Sequence, residues 1–413
     1  FLAIARSRSQ PLCFSLAAHP RSTSGAPPLS GPAMLKAQLE TPMEEWLGQW
    51  PAVLSQQKAL VAALYRREVR GSFACALQTV ALLRKLVGTC RWATAGELIR
   101  RLRQVGEALV NAQPLELAVG NMIRRVLMIV REDHARLVRQ RADEAPTDVS
   151  LQPSLSDVLT GSSESRLKSL EMPQAELRQN VMEQIVELYD EVEGVREPIS
   201  AQALQHVHSH DVIMTLGNSR SVRDFIKKAA SVKGRRFEVF VTETAPSFEG
   251  HAFANELAKA CGSSVTITII PESAVFALMT RVHKVILPTH AVMANGALLT
   301  HAGGHQMALA AREHAKPVLC VTGLFKLCPV HPHDADAFND LTSPAAILPY
   351  AEVPHDATRD ASTFSQLDVA NPAYDNIPPD LVDLYVTNTG AHQPSYIYRL
   401  LAEFYSPEDT DAF

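Results

Sequence analysis

The residues best suited to chemistry follow short apolar runs that are typical of β-strands. In open parallel sheets ligands bind outside the carboxyl ends of the strands, so these positions are the first candidates for a site. The residues there that could hold a ligand or transfer a proton are Gly217, Asn218, Ser219, Glu243, His290 and Asn295.

The turn from Gly217 to Ser219 follows the first of these runs and precedes a helical pattern. A helix N-terminus presents unpaired backbone N–H groups and the positive end of its dipole, and both attract phosphate. The turn lacks the GxGxxG fingerprint, so phosphate binding and a purely structural turn both remain open. Glu243 could act as a general base beside a cleft, but we favour a helix-capping role for it.

Two groups of histidines could in principle bind a metal ion. His206, His208 and His210 alternate in the sequence, and on a strand all three would face one way, as a zinc site can require. They precede the predicted strand, however, and no cysteine or carboxylate completes the set at a recognisable spacing. His331 and His333 follow a proline and are typical of a loop. We therefore expect no metal and no cofactor.

Composition limits the class of protein. The chain has 413 residues, of which 46% are hydrophobic and 20% charged, with a net charge of −5. The length suggests two domains, and the charge excludes a globally basic nucleic-acid coat. The sequence contains no apolar run of about 18 residues, as a membrane-spanning helix requires. The six cysteines form no CxxC pair, which indicates reduced thiols in a reducing compartment.

The hydrophobic periodicity changes along the chain and predicts an α/β protein, with an N-terminal all-helical domain followed by a Rossmann-like domain with a mainly parallel sheet. From Asp211 five short apolar runs alternate with helical patterns, which implies βαβ units. The predicted segments are a poorly ordered stretch 1–33, a helical domain 34–141, a flexible low-complexity loop 142–172, connecting helices 173–208 and the Rossmann-like domain 209–413. The stretch 1–33 could be an artefact, a fragment or a transit peptide. The arginines Arg100, Arg101 and Arg103 are predicted to lie on a solvated helix face.

Several stretches resemble the alpha/beta/delta regulatory subunit family of eukaryotic translation initiation factor 2B. They are "IRRVLMIVRE", "AQALQHVHSHDVIMTLGNSRSV", "ANGALLTHAGGHQMALAA", "FKLCPVHP" and "PAYDNIPPDLVDLYVTNTGAHQPSYIYRLLAEFY". The last two are most similar to the beta branch. The resemblance runs from about Glu44 to Asp409, apart from the loop 142–172. The family also includes isomerases of methylthioribose-1-phosphate and ribose-1,5-bisphosphate.

The resemblance implies that the chemistry of the isomerases is missing here. Their cysteine after the first Rossmann strand corresponds to Gly217, and the aspartate of their Asn-Gly-Asp turn corresponds to Ala297. The arginine of their Glu-Thr-Arg-Pro segment corresponds to Ala245. We therefore expect no enzymatic activity. Two alternatives remain open: an isomerase with rearranged residues such as Cys261 or His290, and a sensor that still binds sugar phosphate.

The family's role implies a regulatory scaffold in the guanine-nucleotide exchange factor for initiation factor 2. The expected partners are alpha, delta, gamma and epsilon subunits and the alpha subunit of initiation factor 2, in the cytosol, with no nucleic acid and no membrane. The residues expected at a subunit interface are Glu238, Phe240, Thr266, Thr268, Tyr396 and Tyr398. The alternation along the two strands equally suits a face packed on the protein's own core, and the C-terminal tyrosines could pack on their own sheet.

Overall fold

The structure is a computed structural model that describes residues 43–144, 176–332, 338–349 and 368–410. The chain divides into two compact units, one that ends at Trp46 and one from Leu47 to Phe413. The predicted segment 1–33 lies outside the described residues, as does most of the predicted loop 142–172. Residues 142–144 instead complete a helix that ends at Glu144. The separation of a helical domain from a Rossmann-like domain within the second unit stays a prediction.

The first half of the described chain is helical, as the periodicity predicts. The helices are α1 Met43–Gly48, α2 Pro51–Tyr65, α3 Ser72–Thr89, α4 Ala95–Ala112, α5 Leu117–Glu144, α6 Leu177–Gly194, α7 Arg196–Ala201 and α8 Ala203–His206. Local signals fix several of the ends: Pro51 occupies the first turn of α2, where its missing N–H costs nothing. Thr94 caps α4, because its side chain accepts a hydrogen bond from the Glu97 N–H at 3.1 Å.

The second half alternates strands and helices. The strands are β1 Val212–Thr215, β2 Phe237–Thr242, β3 Val265–Ile270, β4 Lys284–Leu287, β5 Ala291–Val292, β6 Leu298–His301, β7 Val318–Val321, β8 Tyr374–Ile377, β9 Leu384–Thr387 and β10 Gly390–His392. The α-helices are α9 Arg220–Ala230, α10 Glu249–Cys261, α11 Val275–Met279, α12 Gly304–Glu313 and α13 Ile397–Phe404. The main 3₁₀ turns that bear on the site are Leu324–Lys326 and Pro407–Asp409.

Seven strands form the main sheet in the order β10-β9-β7-β4-β1-β2-β3. All neighbours are parallel except β10, which runs antiparallel to β9. The chain builds outward from β1 through β2 to β3 and then returns to β4 on the other side of β1. The point between β1 and β4 is therefore the topological switch point, where a crevice opens at the carboxyl ends of the strands. The predicted fold class is confirmed.

Both faces of the inner strands are buried, which explains why these strands are nearly continuous apolar runs. Alternate strand residues such as Met214 and Phe240 share one core cluster with Met279 of α11, Met307 of α12 and Leu400 of α13. The intervening residues, among them Ile213, Val239 and Ile286, are buried on the opposite face.

A small antiparallel sheet in the order β5-β6-β8 was not predicted. Its strands β5 and β6 lie in the glycine-rich segment after β4, where the sequence predicts a turn. Strand β6 pairs with β8 across more than seventy residues of chain, from Leu298 opposite Ile377 to His301 opposite Tyr374. A buried hydrogen bond of 2.7 Å from the Tyr385 hydroxyl to the Gly296 carbonyl ties this sheet to the main one.

Arginines of the helical region hold the C-terminal end of the chain. Asp409 is fully buried, and its carboxylate accepts hydrogen bonds from Arg103 at 2.5 Å and from Arg131 at 2.8 Å. Arg124 donates to the backbone carbonyls of Asp409 and Thr410, both at 3.2 Å. The prediction of a solvated face for Arg100, Arg101 and Arg103 is wrong for two of these residues, since Arg103 binds Asp409 and Arg101 is buried. The partner of Arg103 lies about three hundred residues away in sequence, beyond the reach of any local pattern.

We expect Asp409→Ala to lower the free energy of unfolding by about 3 kcal/mol, because it leaves Arg103 and Arg131 without their buried counter-ion. Urea unfolding followed by circular dichroism measures this change. The matched control is Asp380→Ala, which removes the exposed partner of Arg312 and should shift the midpoint little. Equal shifts for the two variants would show that the buried carboxylate does not hold the C-terminal end in place.

Candidate functional site

A cavity of about 810 Å³ lies at the carboxyl ends of the strands, between the α/β region and the start of the helical region. Its sheet side comes from the segments that follow β1, β4, β6 and β7, which contribute Asn218, Ser219, Pro288, Thr289, His290, His301 and Lys326. Its helical side includes Arg67, Arg70, Ser72, Gln113, Glu116 and Arg196, and Asp340, Thr342 and Tyr374 close another wall. The cavity thus occupies the crevice that the topology predicts.

Two of the predicted residues line the cavity on the β1 side. Asn218 is exposed to it, and Ser219 is half-buried, with its side chain capping α9 through the Val222 N–H at 3.5 Å. His290 lines it from the β4 side. Its Nε2 lies 2.9 Å from the Leu115 carbonyl oxygen, and its ring stacks on Tyr374 with 4.3 Å between centroids. These contacts fix the imidazole between the sheet and the start of α5.

The cavity wall is rich in arginine. Some of the guanidinium groups are neutralised within the protein: Arg67 pairs with Asp340 at 2.5 Å, Arg223 with Glu256, and Arg196 with Asp224 at 3.4 Å. No carboxylate of the described residues pairs with Arg70 or Arg220. Arg70 and Arg220 therefore contribute to the cavity wall positive charges that have no carboxylate partner among the described residues, and such charges can attract an anion.

A lysine and a glutamate also line the cavity. Lys326 Nζ donates to the Thr289 carbonyl oxygen at 2.5 Å. Burial lowers the pKa of Lys326, and the negative charge of Glu116 opposes this effect in part. Glu116 is itself buried, and its Oε1 has no hydrogen-bond partner among the described residues.

Gly217 is not among the residues that line the cavity, but it lies against His301, which does line it. Its φ is +67°, in the left-handed region that favours glycine, and a Cβ at this position would lie 2.9 Å from His301 Cδ2. Its N–H donates to Thr244 Oγ1 at 3.1 Å, so this amide is not free for an anion. Burial and the nearby positive charges lower the pKa of His301 to about 4, which keeps the ring neutral at pH 7.

Glu243 and Asn295 lie outside the cavity lining. The Glu243 carboxylate is 3.9 Å from His251 Nε2 and makes no hydrogen bond to the first turn of α10, so the capping interpretation is wrong. Asn295 Oδ1 accepts the Ala297 N–H at 3.0 Å within its own turn. Ala297 belongs to a small apolar cluster with Ala291, Met293, Leu299 and Cys328.

The strand residues proposed for an interface differ in their exposure. Thr266 is exposed and Thr268 half-buried on the edge strand β3, opposite Glu238 and Phe240 of β2. Glu238 accepts a hydrogen bond from Thr268 Oγ1 at 3.4 Å and lies 3.7 Å from Arg281. Phe240 is only 2% exposed and packs in the core cluster, which favours the core alternative for this residue.

The C-terminal tyrosines are exposed. Tyr398 is 76% exposed, and Tyr396 stacks on His392 with 5.0 Å between centroids. Tyr405, at the end of the same helix, is instead buried and donates to the Leu327 carbonyl at 2.8 Å. The aromatic helix thus packs on the sheet through one side and presents tyrosines to solvent on the other.

Sequence reasoning missed most of the charged residues of the cavity, including Arg67, Arg70, Glu116, Arg196 and Lys326. They come from separate parts of the chain, so no regular spacing in the sequence links them as a motif. The one available signal was Lys326, which follows the fifth predicted strand at its carboxyl end.

The histidines His206, His208 and His210 do not form a metal site among the described residues, which contain no group of three possible metal ligands. His206 instead stacks on Phe225 with 6.5 Å between ring centroids.

Gly217→Ala should lower the free energy of unfolding by about 1–2 kcal/mol, because it adds a Cβ at positive φ against His301. The control is Gly194→Ala, at a helix end with no atom within 4 Å of the new Cβ, which should be neutral or stabilising. Urea denaturation of both variants checks the difference. An unchanged midpoint for Gly217→Ala would contradict the described packing of His301.

The depressed pKa of His301 predicts a loss of stability in acid. The unfolded chain takes up a proton as the pH falls below about 6.5, whereas folded His301 stays neutral until about pH 4. Stability is therefore fully present above pH 6.5 and falls as the pH drops toward 4. The loss attributable to this residue is about 2 kcal/mol, less than the full pKa difference would give, because the His301 side chain is only partly buried.

The measurement is the unfolding free energy of wild type and His301→Gln between pH 7 and pH 4.5. The variant should show a shallower acid slope than wild type, whereas His251→Gln, at an exposed histidine, should not. Parallel slopes for wild type and His301→Gln would show that His301 is protonated at its ordinary pKa.

The comparisons with known proteins agree on one family. The sequence model of the Initiation factor 2 subunit family matches residues 68–394. The chain is 39% identical over 383 residues to translation initiation factor eIF2B subunit beta of Dictyostelium discoideum, covering 85% of this chain and 95% of the relative. It is 36% identical over 400 residues to the beta subunit of Schizosaccharomyces pombe, covering 87% and 97%. A ribose 1,5-bisphosphate isomerase of Archaeoglobus fulgidus is 29% identical over 258 residues, covering 62% of this chain and 75% of the relative.

Solved structures agree with the sequence comparison. The fold matches eIF2B beta of Chaetomium thermophilum with a TM-score of 0.64 and 28% identity, covering 89% of this chain and 96% of that one. It matches a chain of the tetrameric eIF2B beta2-delta2 complex of the same organism with a TM-score of 0.60 and 26% identity, covering 91% and 100%. Among the described residues, no helix combines the length and the apolar character needed to cross a bilayer. With the family model matching most of the chain and two relatives above 35% identity, the chain belongs to the initiation factor 2 subunit family.

Proposed function

We propose that the chain is a non-catalytic regulatory and scaffold subunit, of the beta kind, in a guanine-nucleotide exchange factor for translation initiation factor 2. The observation that carries this proposal is the similarity to beta subunits over 85% or more of the chain and at least 95% of those relatives. Similarity of this extent leaves little of the relatives unmatched. A scaffold acts through the surfaces of the whole folded chain rather than through a few site residues, so similarity over the full length is the relevant comparison.

The geometry at the isomerase positions supports the absence of catalysis. At Gly217 the backbone has positive φ and a side chain would meet His301, so a thiol does not fit without rearrangement. Ala297 is 2% exposed in an apolar cluster, where a carboxylate would be costly to bury. Cys261 lies at the end of α10 outside the cavity lining, and burial raises the pKa of its thiol. A rearranged isomerase based on Cys261 is therefore disfavoured.

The proposed partners are alpha, delta, gamma and epsilon subunits of initiation factor 2B, with the alpha subunit of initiation factor 2 as the regulatory ligand, in the cytosol. One of the matching solved chains belongs to a tetrameric eIF2B beta2-delta2 complex, which supports a delta-type neighbour. The helical region would contribute to binding the alpha subunit of initiation factor 2 and to sensing its phosphorylation.

The exposed edge of the main sheet is the proposed contact with a delta-type subunit. On this edge Thr266 and Thr268 lie beside Glu238, and Arg281 lies within 3.7 Å of the Glu238 carboxylate. A small polar strip of this kind can be covered by another subunit without leaving a large unpaired charge buried. Tyr396 and Tyr398 supply a second, aromatic surface suited to a partner.

Thr266→Lys should reduce co-purification with a co-expressed delta-type subunit at least about tenfold, or about 1.4 kcal/mol, because the longer side chain obstructs the close approach of the partner and its ammonium loses hydration in the covered surface. The control is Thr89→Lys, at an exposed threonine on the helical region, which should leave co-purification unchanged. The measurement is the mass ratio of the two subunits after affinity capture. Undiminished capture by Thr266→Lys would place the contact elsewhere.

The cavity favours a second candidate function, the sensing of a small phosphorylated ligand. Its support is the pair Arg70 and Arg220, which line the cavity without a carboxylate partner among the described residues, together with the exposed Asn218 that lines the same cavity. The scaffold proposal alone does not require this arrangement.

We expect inorganic phosphate to bind the purified chain and Arg70→Ala to weaken that binding about tenfold, the effect of losing one charge-assisted hydrogen bond. Isothermal titration calorimetry measures both affinities. Lys228→Ala, on the exposed side of α9, is the control and should bind phosphate as wild type does. No heat with the wild-type chain would remove the sensor candidate and leave the scaffold proposal intact.

A further inference from the structure

A second cavity, of about 320 Å³, lies at the amino ends of β7 and β9, at the edge of the main sheet opposite the first cavity. One wall comes from the chain between α12 and β7. The other comes from the 3₁₀ turn Pro379–Leu381 and the residues that lead from it into β9. The charged residues that line this cavity are Arg312, Lys316, Asp380 and Asp383. A volume of this size suits a small ligand.

Hydrogen bonds hold the two walls together. The Val318 N–H donates to Asp383 Oδ2 at 2.7 Å, and the Asp383 N–H donates to the Val318 carbonyl oxygen at 3.0 Å. Lys316 precedes Val318 by two residues, and two residues of chain span at most about 7 Å. The carboxylate of Asp383 is therefore fixed close to the backbone of Lys316, where the two strands begin.

The chain enters the first wall through a residue in a strained conformation. Ala315 has a φ of +51°, in the left-handed region where glycine is usual after a helix. The next amide is satisfied, because the Lys316 N–H donates to the Ala311 carbonyl oxygen at 2.8 Å. Non-glycine residues held in this region cost free energy and are found preferentially at binding sites. The strain at Ala315 thus marks this wall independently of its charges.

The cavity presents one cation and one anion that the protein itself does not pair. Arg312 and Asp380 form an exposed ion pair at 3.0 Å. Lys316 is half-buried, and its ammonium has no carboxylate partner among the described residues. The Asp383 carboxylate accepts the Val318 N–H through Oδ2 only, so Oδ1 has no hydrogen-bond donor within the described part of the chain.

This balance of charge limits the kind of ligand. A phosphate would lie against two carboxylates, and a polyamine would lie against two cations, so neither is favoured electrostatically. A zwitterion can satisfy the ammonium and the carboxylate at the same time. The uncharged residues that line the cavity are all apolar, namely Ala315, Pro317, Val318 and Leu381. The lining therefore suits a small zwitterion with an aliphatic side chain.

We propose that this cavity binds a free aliphatic α-amino acid, with the ammonium of the ligand on Asp383 and its carboxylate on Lys316. The aliphatic side chain packs against Pro317 and Leu381. This site is separate from the cavity at the carboxyl ends of the strands, and it depends neither on that cavity nor on the proposed scaffold function. Because ion pairs that are partly exposed contribute modestly, the dissociation constant should be about millimolar.

The test is a titration of the full-length chain with L-leucine, followed by saturation-transfer difference NMR. Two analogues examine the two ends of the ligand: 4-methylpentanoate lacks the ammonium, and leucinol lacks the carboxylate. We expect each analogue to bind at least about tenfold more weakly than leucine, because each loses one charge-assisted hydrogen bond. Inorganic phosphate should not displace leucine, which separates this site from the first cavity.

Two substitutions assign the ends to their residues. Asp383→Asn keeps an acceptor for the Val318 N–H but removes the charge, and Lys316→Gln removes the ammonium. Each should weaken leucine binding about tenfold. Asp383→Asn should not weaken 4-methylpentanoate further, and Lys316→Gln should not weaken leucinol further, since each analogue already lacks the group concerned. The matched control is Lys85→Gln, at an exposed lysine of α3, which should bind leucine as wild type does.

The proposal would be overturned by a wild-type chain that does not bind leucine at about 10 mM. Equal binding of leucine by wild type, Asp383→Asn and Lys316→Gln would also overturn it, because the ligand would then lie elsewhere. Equal binding of leucine and 4-methylpentanoate would show that no carboxylate recognises the ammonium. Urea unfolding of both variants, with midpoints close to that of wild type, establishes that a loss of binding reflects the site and not the fold.

Discussion

The buried carboxylate of Asp409 is the contact on which the arrangement of the chain depends. It joins Arg103 of α4 and Arg131 of α5 to the last described turn of the chain, and Arg124 adds hydrogen bonds to the backbone carbonyls beside it. Buried ions of this kind are favourable only while every partner is present, because each remaining charge would otherwise be left without water or a counter-ion. The helical region and the C-terminal end of the α/β region are thereby held in one orientation.

The cavity follows from that orientation. With α5 fixed, its N-terminal segment reaches the strand ends, where the Leu115 carbonyl meets His290 and Asn121 meets the Phe325 carbonyl. Glu116 is brought into the same cavity as Lys326 in the same way. The cavity is thus a product of packing between distant segments, and its charges come from elements that are only brought together by the fold. On the β1 side Gly217 packs so close to His301, which lines the cavity, that a Cβ at this position would meet the imidazole.

The sequence was informative wherever the signal was local. Five parallel strands and the helices between them were predicted from alternation and periodicity, since each short β-branched run was followed by a helical repeat. The pairing of β6 with β8 could not be predicted, because β5 has two residues and β8 reads as part of a proline-marked turn. Asn218, Ser219 and His290 were found because ligands bind at strand ends. Arg67, Arg70 and Glu116 were missed because they lie on the helical side of the cavity, far in sequence from the strand ends. For Phe240 the core and the interface remained equally open, because alternation along a strand does not say whether a face is covered by the protein's own helices or by a partner.

The central claim is that the chain serves an assembly and does not itself turn over a sugar phosphate. Native mass spectrometry of the complex captured through a tag on this chain, purified from its own cells, tests it most directly. The account predicts a hetero-oligomer in which this chain is accompanied by a delta-type subunit and further initiation factor 2B subunits. A homodimer or homohexamer of this chain alone that isomerises ribose 1,5-bisphosphate would contradict it.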